Sequence, residues 1–390
     1  MNWLTIILFL PALYLGLASL YQLVLAIASK TYRKNQHASP IQKKSWVLVP
    51  AYREDSVILY SVSQNLQVLK NYPHWKLTVI ADQLQEETIN QLEEMGAEVV
   101  RVGFDKSTKV KSLNAALTSE LAEREFELLV ILDADNILES DFVDQAEKNV
   151  AMGFRVIQGE RLAANTGKPI ELLDGLSEKA NQELLCKGAN QLGLSSKLTG
   201  SAMVLDFDLA KEVLPNLQAV GGFDKEMELW LTSRGEYIHY APEVQVWDEK
   251  VASHEAFSKQ RGRWLESQYT FFKKSFGPAI SGLFHGNVDY FHKSLQLALP
   301  PRALAPLGIM IGMLISALIG SEILIGIFLF AFIALAFSYL LVLPHALWAK
   351  NWKTLMLAMP GLFFSAFKAL TWMKKSKTQF LHTTHQNTPL

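Results

Sequence analysis

Apolar residues follow three rhythms along this chain. From Trp3 to Ala28 they are nearly continuous, almost without charge, and long enough to cross a bilayer. From Ser45 to about Val246, short apolar runs alternate with amphipathic stretches of helical period, and beyond Gly277 long apolar runs return. The middle rhythm predicts strands at Trp46–Pro50, Lys76–Ala81, Glu98–Val102, Phe126–Leu132, Arg155–Gly159 and Ile238–Pro242. Helices are expected up to about Lys70, over Lys109–Glu123, between Ile170 and Gln191, after Gly221-Gly222, and over Ala256–Phe272. Such alternation predicts an α/β fold with a mostly parallel sheet and right-handed crossovers. No internal repeat or low-complexity tract interrupts it.

The first apolar segment lacks the positive start and small-residue cleavage site of a signal peptide, so it reads as a retained anchor. Lys30, Arg33, Lys34, Lys43 and Lys44 follow it, which predicts a cytoplasmic flank and an outer N-terminus. Further on, Val288, Phe291, Leu295 and Ala298 recur at helical spacing with Lys293 and Gln296 opposite. That pattern suits an interfacial helix before Pro300-Pro301. Leu304–Gly320 and Ile323–Leu343 have spanning length. Leu355–Met373 is interrupted by Pro360, Gly361 and Lys368. A span there would put Lys374, Lys375 and Lys377 outside, against the charge rule, so an interfacial or re-entrant helix is expected. The predicted division is an anchor (1–29), a cytoplasmic catalytic region (30–276), an interfacial helix (277–302), two spans (303–345), and an interfacial or re-entrant helix with a cytoplasmic tail (346–390). This describes a multi-pass protein of the cell inner membrane.

Composition agrees with that division: 49% of the 390 residues are hydrophobic. The net charge of −1 gives no basic field for nucleic acid. A single cysteine, Cys186, excludes an intramolecular disulfide and any thiolate metal cluster. It suits a cytosolic location for the soluble part.

The chemistry concentrates where the apolar run Phe126–Leu132 ends in Asp133-Ala134-Asp135. The C-terminal ends of strands are where open α/β sheets place ligands. Along an extended Asp-Ala-Asp the two carboxylates point the same way, because side chains alternate with period two. Two carboxylates with otherwise open coordination suit Mg²⁺ or Mn²⁺ held jointly with substrate phosphates. The alternative for an isolated Asp-x-Asp is a polar strand-to-loop corner with a helix cap.

Four features accompany it in order. Pro50-Ala51-Tyr52-Arg53-Glu54 follows the first strand and Asp82 the second; Lys109-Val110-Lys111-Ser112-Leu113-Asn114 opens a helix; Gln260-Arg261-Gly262-Arg263-Trp264 lies near the membrane region. Together with Asp133-Ala134-Asp135, this set resembles the membrane-bound, inverting family-two glycosyltransferases. That group includes the cellulose, chitin and hyaluronan synthases and ceramide glucosyltransferase. The resemblance covers about Val47 to Phe272 and implies a GT-A, Rossmann-like, nucleotide-sugar-binding domain flanked by N- and C-terminal transmembrane helices. It implies that Ala51, Tyr52, Glu54 and Asp82 surround the nucleoside and that Lys109 lies near the nucleotide-sugar. Asp133 would face the sugar or nucleotide and share the metal with Asp135. Gln260, Arg263 and Trp264 would close over the diphosphate and frame the acceptor site.

The chain departs from the family at the general base. Where Thr-Glu-Asp is usual, it reads Phe223-Asp224-Lys225-Glu226-Met227-Glu228. By register Glu226 takes the family position, while Asp224 has the family side chain and is otherwise expected to cap the following helix. Glu226 is therefore the expected base and Asp224 its alternative. His239, His254 and His285 are too scattered for a metal site and are expected to be structural. The implied activity is metal-dependent transfer of a sugar from a nucleotide-sugar, with UDP the expected nucleotide, to a lipid or saccharide at the cytoplasmic membrane face. Two other readings stay open: a processive polysaccharide synthase, and a membrane-anchored nucleotide-sugar-binding protein that has lost catalysis.

Overall fold

In the computed structural model, which describes residues 3–33 and 38–376, the chain opens with helix α1 (Trp3–Lys30). Lys34, Lys377 and the tail histidines His382 and His385 lie outside the described residues. The α/β region begins β1 (Ser45–Tyr52), α2 (Ile58–Leu69), β2 (Trp75–Asp82), α3 (Glu86–Glu94), β3 (Glu98–Val102), α4 (Lys109–Leu117) and β4 (Leu128–Ile131). It continues with β5 (Ile137–Leu138), α5 (Phe142–Ala151), β6 (Val156–Ala163) and α6 (Pro169–Asn181), which passes through a π-helical stretch, Gln182–Gly188, into α7 (Ala189–Gln191). Then come β7 (Met203–Asp206), α8 (Phe207–Val213), α9 (Phe223–Ser233) and β8 (Ile238–Asp248). Five helices complete the described residues: α10 (His254–Phe284), α11 (Val288–Leu297), α12 (Ala305–Leu318), α13 (Glu322–Val342) and α14 (His345–Ser376).

The eight strands form one sheet in the order β3-β2-β1-β4-β7-β6-β8-β5. All pairings are parallel except those of β7 with its two neighbours and of β5 with β8. The strand alternation of β1 explains why both faces are covered. Trp46 and Leu48 enter one apolar layer with Val110, Leu113 and Met227, while Val47 and Val49 enter the other with Ile58, Val62 and Phe142.

Several sequence expectations needed adjustment. The strand expected over Phe126–Leu132 is only Leu128–Ile131, so Asp133-Ala134-Asp135 lies in a turn, closed by Asn136 N donating to Asp133 O at 3.1 Å. The helix expected over Lys109–Glu123 stops at Leu117 and resumes as a 3₁₀ turn, Glu120–Glu123. The last strand continues to Asp248, which matters below. The boundary drawn at 276 falls inside α10, which runs unbroken to Phe284.

Among the described residues, three helices are long and apolar enough to cross a membrane: α1, α13 and the Trp348–Met373 part of α14. Helix α12, expected as a span, has 14 residues, a rise of about 21 Å. That is shorter than a hydrocarbon core of about 30 Å. Helices α1, α12 and α13 pack together through Ala12, Ile309, Phe328 and Leu335. By contrast, α14 packs along α10. Ser258 Oγ donates to Ser365 O at 3.0 Å, and His254 Nδ1 pairs with Ser365 Oγ at 2.9 Å. A Cβ on Gly262 would stand 2.5 Å from Trp372 Cβ and 2.9 Å from Ala369 O, so only glycine permits this approach. In α11, Lys293 and Gln296 are buried while Val288 and Leu295 face outward.

Candidate functional site

The sheet order puts β1 between β2 and β4, so successive crossovers leave β1 in opposite directions. A crevice at the C-terminal ends of strands follows from that reversal. A cavity of about 730 Å³ opens there and extends under α10 to α6, α13 and α14.

The β1 and β2 ends form one wall. Ala51, Tyr52, Glu54 and Asp82 all line the cavity. Asp82, the last residue of β2, is fully buried, and among the described residues neither of its carboxylate oxygens has a donor in hydrogen-bond geometry, with the Ser107 hydroxyl close by. Burial pushes its pKa up. A buried carboxylate without donors is costly, so this position fits a ligand that brings N–H or O–H groups. The turns beside it are strained: Arg53 and Gln83 have φ of 55° and 58°. Arg53 N donates to Asp82 O at 3.1 Å and its Nε to Gln83 Oε1 at 2.8 Å.

The end of β4 forms the floor. Thr108 caps α4, accepting from Lys111 N at 3.2 Å, and so fixes the start of the helix that carries Lys109. Lys109 Nζ donates to Asp133 Oδ1 at 2.5 Å and to Gly200 O at 2.7 Å. Arg161 of β6 lies 3.8 Å from Asp133 and 3.6 Å from Asp248, and also pairs with Glu178. Asp135 Oδ2 accepts from Glu249 N at 3.1 Å, and Asn136 Nδ2 donates to Asp248 Oδ1 at 3.1 Å. Although the tripeptide is a turn, both aspartates reach the cavity. Among the described residues no group of three or more His, Cys, Asp or Glu could hold a metal ion. Two hard carboxylate donors therefore fit Mg²⁺ or Mn²⁺ only where a ligand supplies phosphate oxygens as well.

Helix α10 is the roof. Gln260, Arg263 and Trp264 line the cavity, and Gln260 Oε1 is buried without a hydrogen-bond partner among the described residues. Burial pushes the Arg263 guanidinium down to about 10, against the opposing pull of Asp133. Arg261 turns aside to Asp174 and stacks over Trp264 at 4.1 Å.

Helix α9 separates the two carboxylates that the sequence left in competition. Glu226 Oε2 accepts from the backbone N–H groups of Gln218 and Ala219 at 2.8 and 2.7 Å, so it closes the preceding loop and does not line the cavity. Asp224 does line it, beside Lys225 at 3.4 Å. The cause is the entry to the helix. Gly222 caps it with φ of 73°, and a Cβ there would stand 2.5 Å from Ser267 Cβ, which holds α9 under α10 with Asp224 inward. The structure therefore brings Asp224, the alternative, to the cavity and turns Glu226, the expected base, toward the preceding loop. Glu228 also lines the cavity, but it accepts from Leu198 N at 2.6 Å and pairs with Lys293 at 3.6 Å.

Residues 44–267, more than half of the chain, match the family described as glycosyltransferase like family 2. The chain belongs to this family. It is 25% identical over 293 residues, 67% of its length, to the "Probable glycosyltransferase YdaM" of Bacillus subtilis (strain 168), and the match spans 64% of that relative. Among solved structures it is similar to the mannosyltransferase PcManGT of Pyrobaculum calidifontis, solved in complex with GDP-Man and Mn²⁺. That likeness has a TM-score of 0.57 at 16% identity and covers 94% of this chain and 99% of the other, so it shows the fold, GT-A.

Within this glycosyltransferase fold, sequence reasoning missed Arg161, Glu178, Asp248 and Lys250, a buried charge network behind Asp133. The signal was Asp248-Glu249-Lys250 at the end of a longer β8. The three histidines singled out in the sequence lie in separate places, with His254 on Ser365 as above. His239 stacks on Phe154 with ring centroids 3.7 Å apart, and burial pushes its pKa down to about 4. His285 bonds the carbonyl of Ser281 in its own helix.

Proposed function

We propose that this chain transfers a sugar with inversion, from a nucleoside diphosphate sugar to a hydroxyl of a lipid or saccharide at the cytoplasmic membrane face. The observation that carries it is the convergence on one cavity of an unsatisfied Asp82, the Asp133/Asp135 pair, and the cations Lys109 and Arg263. Asp82 and Glu54 accept hydrogen bonds from the nucleoside, with Ala51 and Tyr52 against it. Lys109 and Arg263 face the diphosphate, where cationic donors stabilise the departing charge. Asp135 with Asp133 holds a divalent cation that, when bound, neutralises diphosphate charge. Asp224 takes the proton of the acceptor hydroxyl as its oxygen bonds to C1 of the sugar. The C1–O bond to the diphosphate breaks, and the electron pair leaves with the nucleoside diphosphate.

In the proposed topology α1, α12 and α13 form the membrane bundle, with the N-terminus outside; α12 crosses together with the apolar residues that flank it, Leu304–Gly320, about the shortest length that spans. Helix α14 lies on the cytoplasmic surface, docked along α10. The seam of Gly361, Ser365 and Ala369 against His254, Ser258 and Gly262 supports this placement. The test of function is sugar transfer and donor hydrolysis by purified chain across a panel of nucleotide-sugars, with Mn²⁺ or with chelator. Donor binding without turnover under every condition would replace the enzyme by a binding protein.

A further inference from the structure

The cavity does not end at the diphosphate site. Its lining includes an apolar part: Leu355, Met359, Leu362 and Phe363 of α14 fall on one helix face by their spacing, and Leu176 of α6 and Leu343 line the cavity with them. Lys197 and Arg302 line the same cavity, Lys197 near Asp224 and Glu228 and Arg302 against α6 at Ser177, the two cations close enough to oppose each other. Neither has a carboxylate partner among the described residues. The two nearby acids are engaged elsewhere, Asp224 with Lys225 at 3.4 Å and Glu228 with Lys293 at 3.6 Å. Arg302 donates only to a carbonyl, Ser177 O, at 2.8 Å.

Lys197 is held by a rigid loop. The N–H of Ser196 donates to Ile238 O at 2.8 Å, that of Leu198 to Glu228 at 2.6 Å, and that of Thr199 to Gln158 Oε1 at 2.9 Å. The backbone around Lys197 is thus fixed, while its ammonium faces the cavity. Glu228 and Asp224 act on that ammonium only from beyond salt-bridge distance, and a desolvated cation so placed is costly without a closer anion. Burial, with Lys225 adding to it, pushes its ammonium down to about 8.

We propose that Lys197 and Arg302 bind the phosphate of a membrane-lipid acceptor whose chain lies in the apolar cleft between α6, α13 and α14. This deepens the transferase reading and rests on it for the word acceptor. The phosphate anchors the lipid at the two cations, so that its free hydroxyl reaches Asp224 and the sugar carbon. The fit combines two complementarities, charge at the two cations and hydrocarbon in the cleft. A soluble phosphorylated acceptor would use only the first.

The test is equilibrium binding, by calorimetry, to the full chain held in amphipol, with no donor present. Three probes separate the sources: dodecyl phosphate, inorganic phosphate and dodecyl maltoside. Dodecyl phosphate is expected to bind at least about tenfold more tightly than either of the others. Lys197→Gln and Arg302→Gln are each expected to weaken it by about tenfold or more, as loss of a charge-assisted contact does. Asp135→Ala, which removes turnover on the proposed reading, is expected to keep it, so loss of the transferase reading and loss of the lipid site are told apart. Equal affinity for inorganic phosphate would assign a soluble acceptor and overturn the lipid. Equal affinity for dodecyl maltoside, or unchanged binding in both variants, would overturn the phosphate site. The three-probe comparison on the unaltered chain decides even where a variant does not fold.

Discussion

The two ends of the cavity are built by different physics. At the sheet end, each side chain leaves from the terminus of a strand or the first turn of a helix, and its partners lie in a dense charge network. Lys109, Asp133, Arg161 and Asp248 fix one another within 2.5–3.8 Å. At the helical end, residues far apart in sequence meet only because α14 lies along α10 and α13 along α1. The sheet end is a place for defined chemistry, and the helical end is a shape. Changes at the first should therefore act on turnover, and changes at the second on acceptor use and helix docking.

The largest effect is expected at the sheet end. Asp135→Ala should lower metal-dependent kcat by about 10³-fold or more, with melting behaviour preserved, because it removes a turn carboxylate and leaves the core alone. Near-normal activity at saturating Mn²⁺ would break the assignment. Next, Asp224→Asn should cost about 10²–10⁴-fold in kcat with little change in donor affinity, as general-base loss does. Steady-state kinetics on both variants checks the two together.

The helical end should respond more mildly. Replacing Gly262 by leucine forces its side chain into Trp372 and Ala369. We expect it to loosen α14 and cost about 1–3 kcal/mol of thermal stability. Donor binding should survive, and loss of donor binding would mean that the two ends are one cooperative unit. A further check uses single cysteines on a Cys186→Ala background. Leu357→Cys, at a position 83% exposed, should label from the cytoplasmic side. Labelling from the outer face would make α14 a span.

The smallest effect separates the competing carboxylates. Glu226→Gln should keep most of kcat and lose about 1 kcal/mol of stability, since Glu226 only closes the loop at Gln218 and Ala219. A kcat collapse there, with Asp224→Asn benign, would restore the register-based assignment and remove Asp224 as base.

The strand pattern, the position of Asp82 and Asp133 at strand ends, and the order of the charged motifs were all legible from residues alone. Each depends on interactions a few residues long: side-chain alternation, a cap, a turn. Through the family resemblance they carry, they pointed to the fold and to ten cavity-lining positions, from Ala51 to Trp264. Which of Asp224 and Glu226 faces the cavity was not legible. Two positions on a helix differ by about 200° of rotation, and the contact that sets that rotation, Gly222 against Ser267, joins segments 45 residues apart. The same holds for Arg161, Lys197 and Arg302, ordinary basic residues in sequence that become site residues because β6, the loop before β7 and the Pro300-Pro301 turn converge. Local pattern fixes what a segment is, because its hydrogen bonds and its apolar face are its own. Which way that segment turns, and what it meets, is set by packing between distant segments, which only the folded chain supplies.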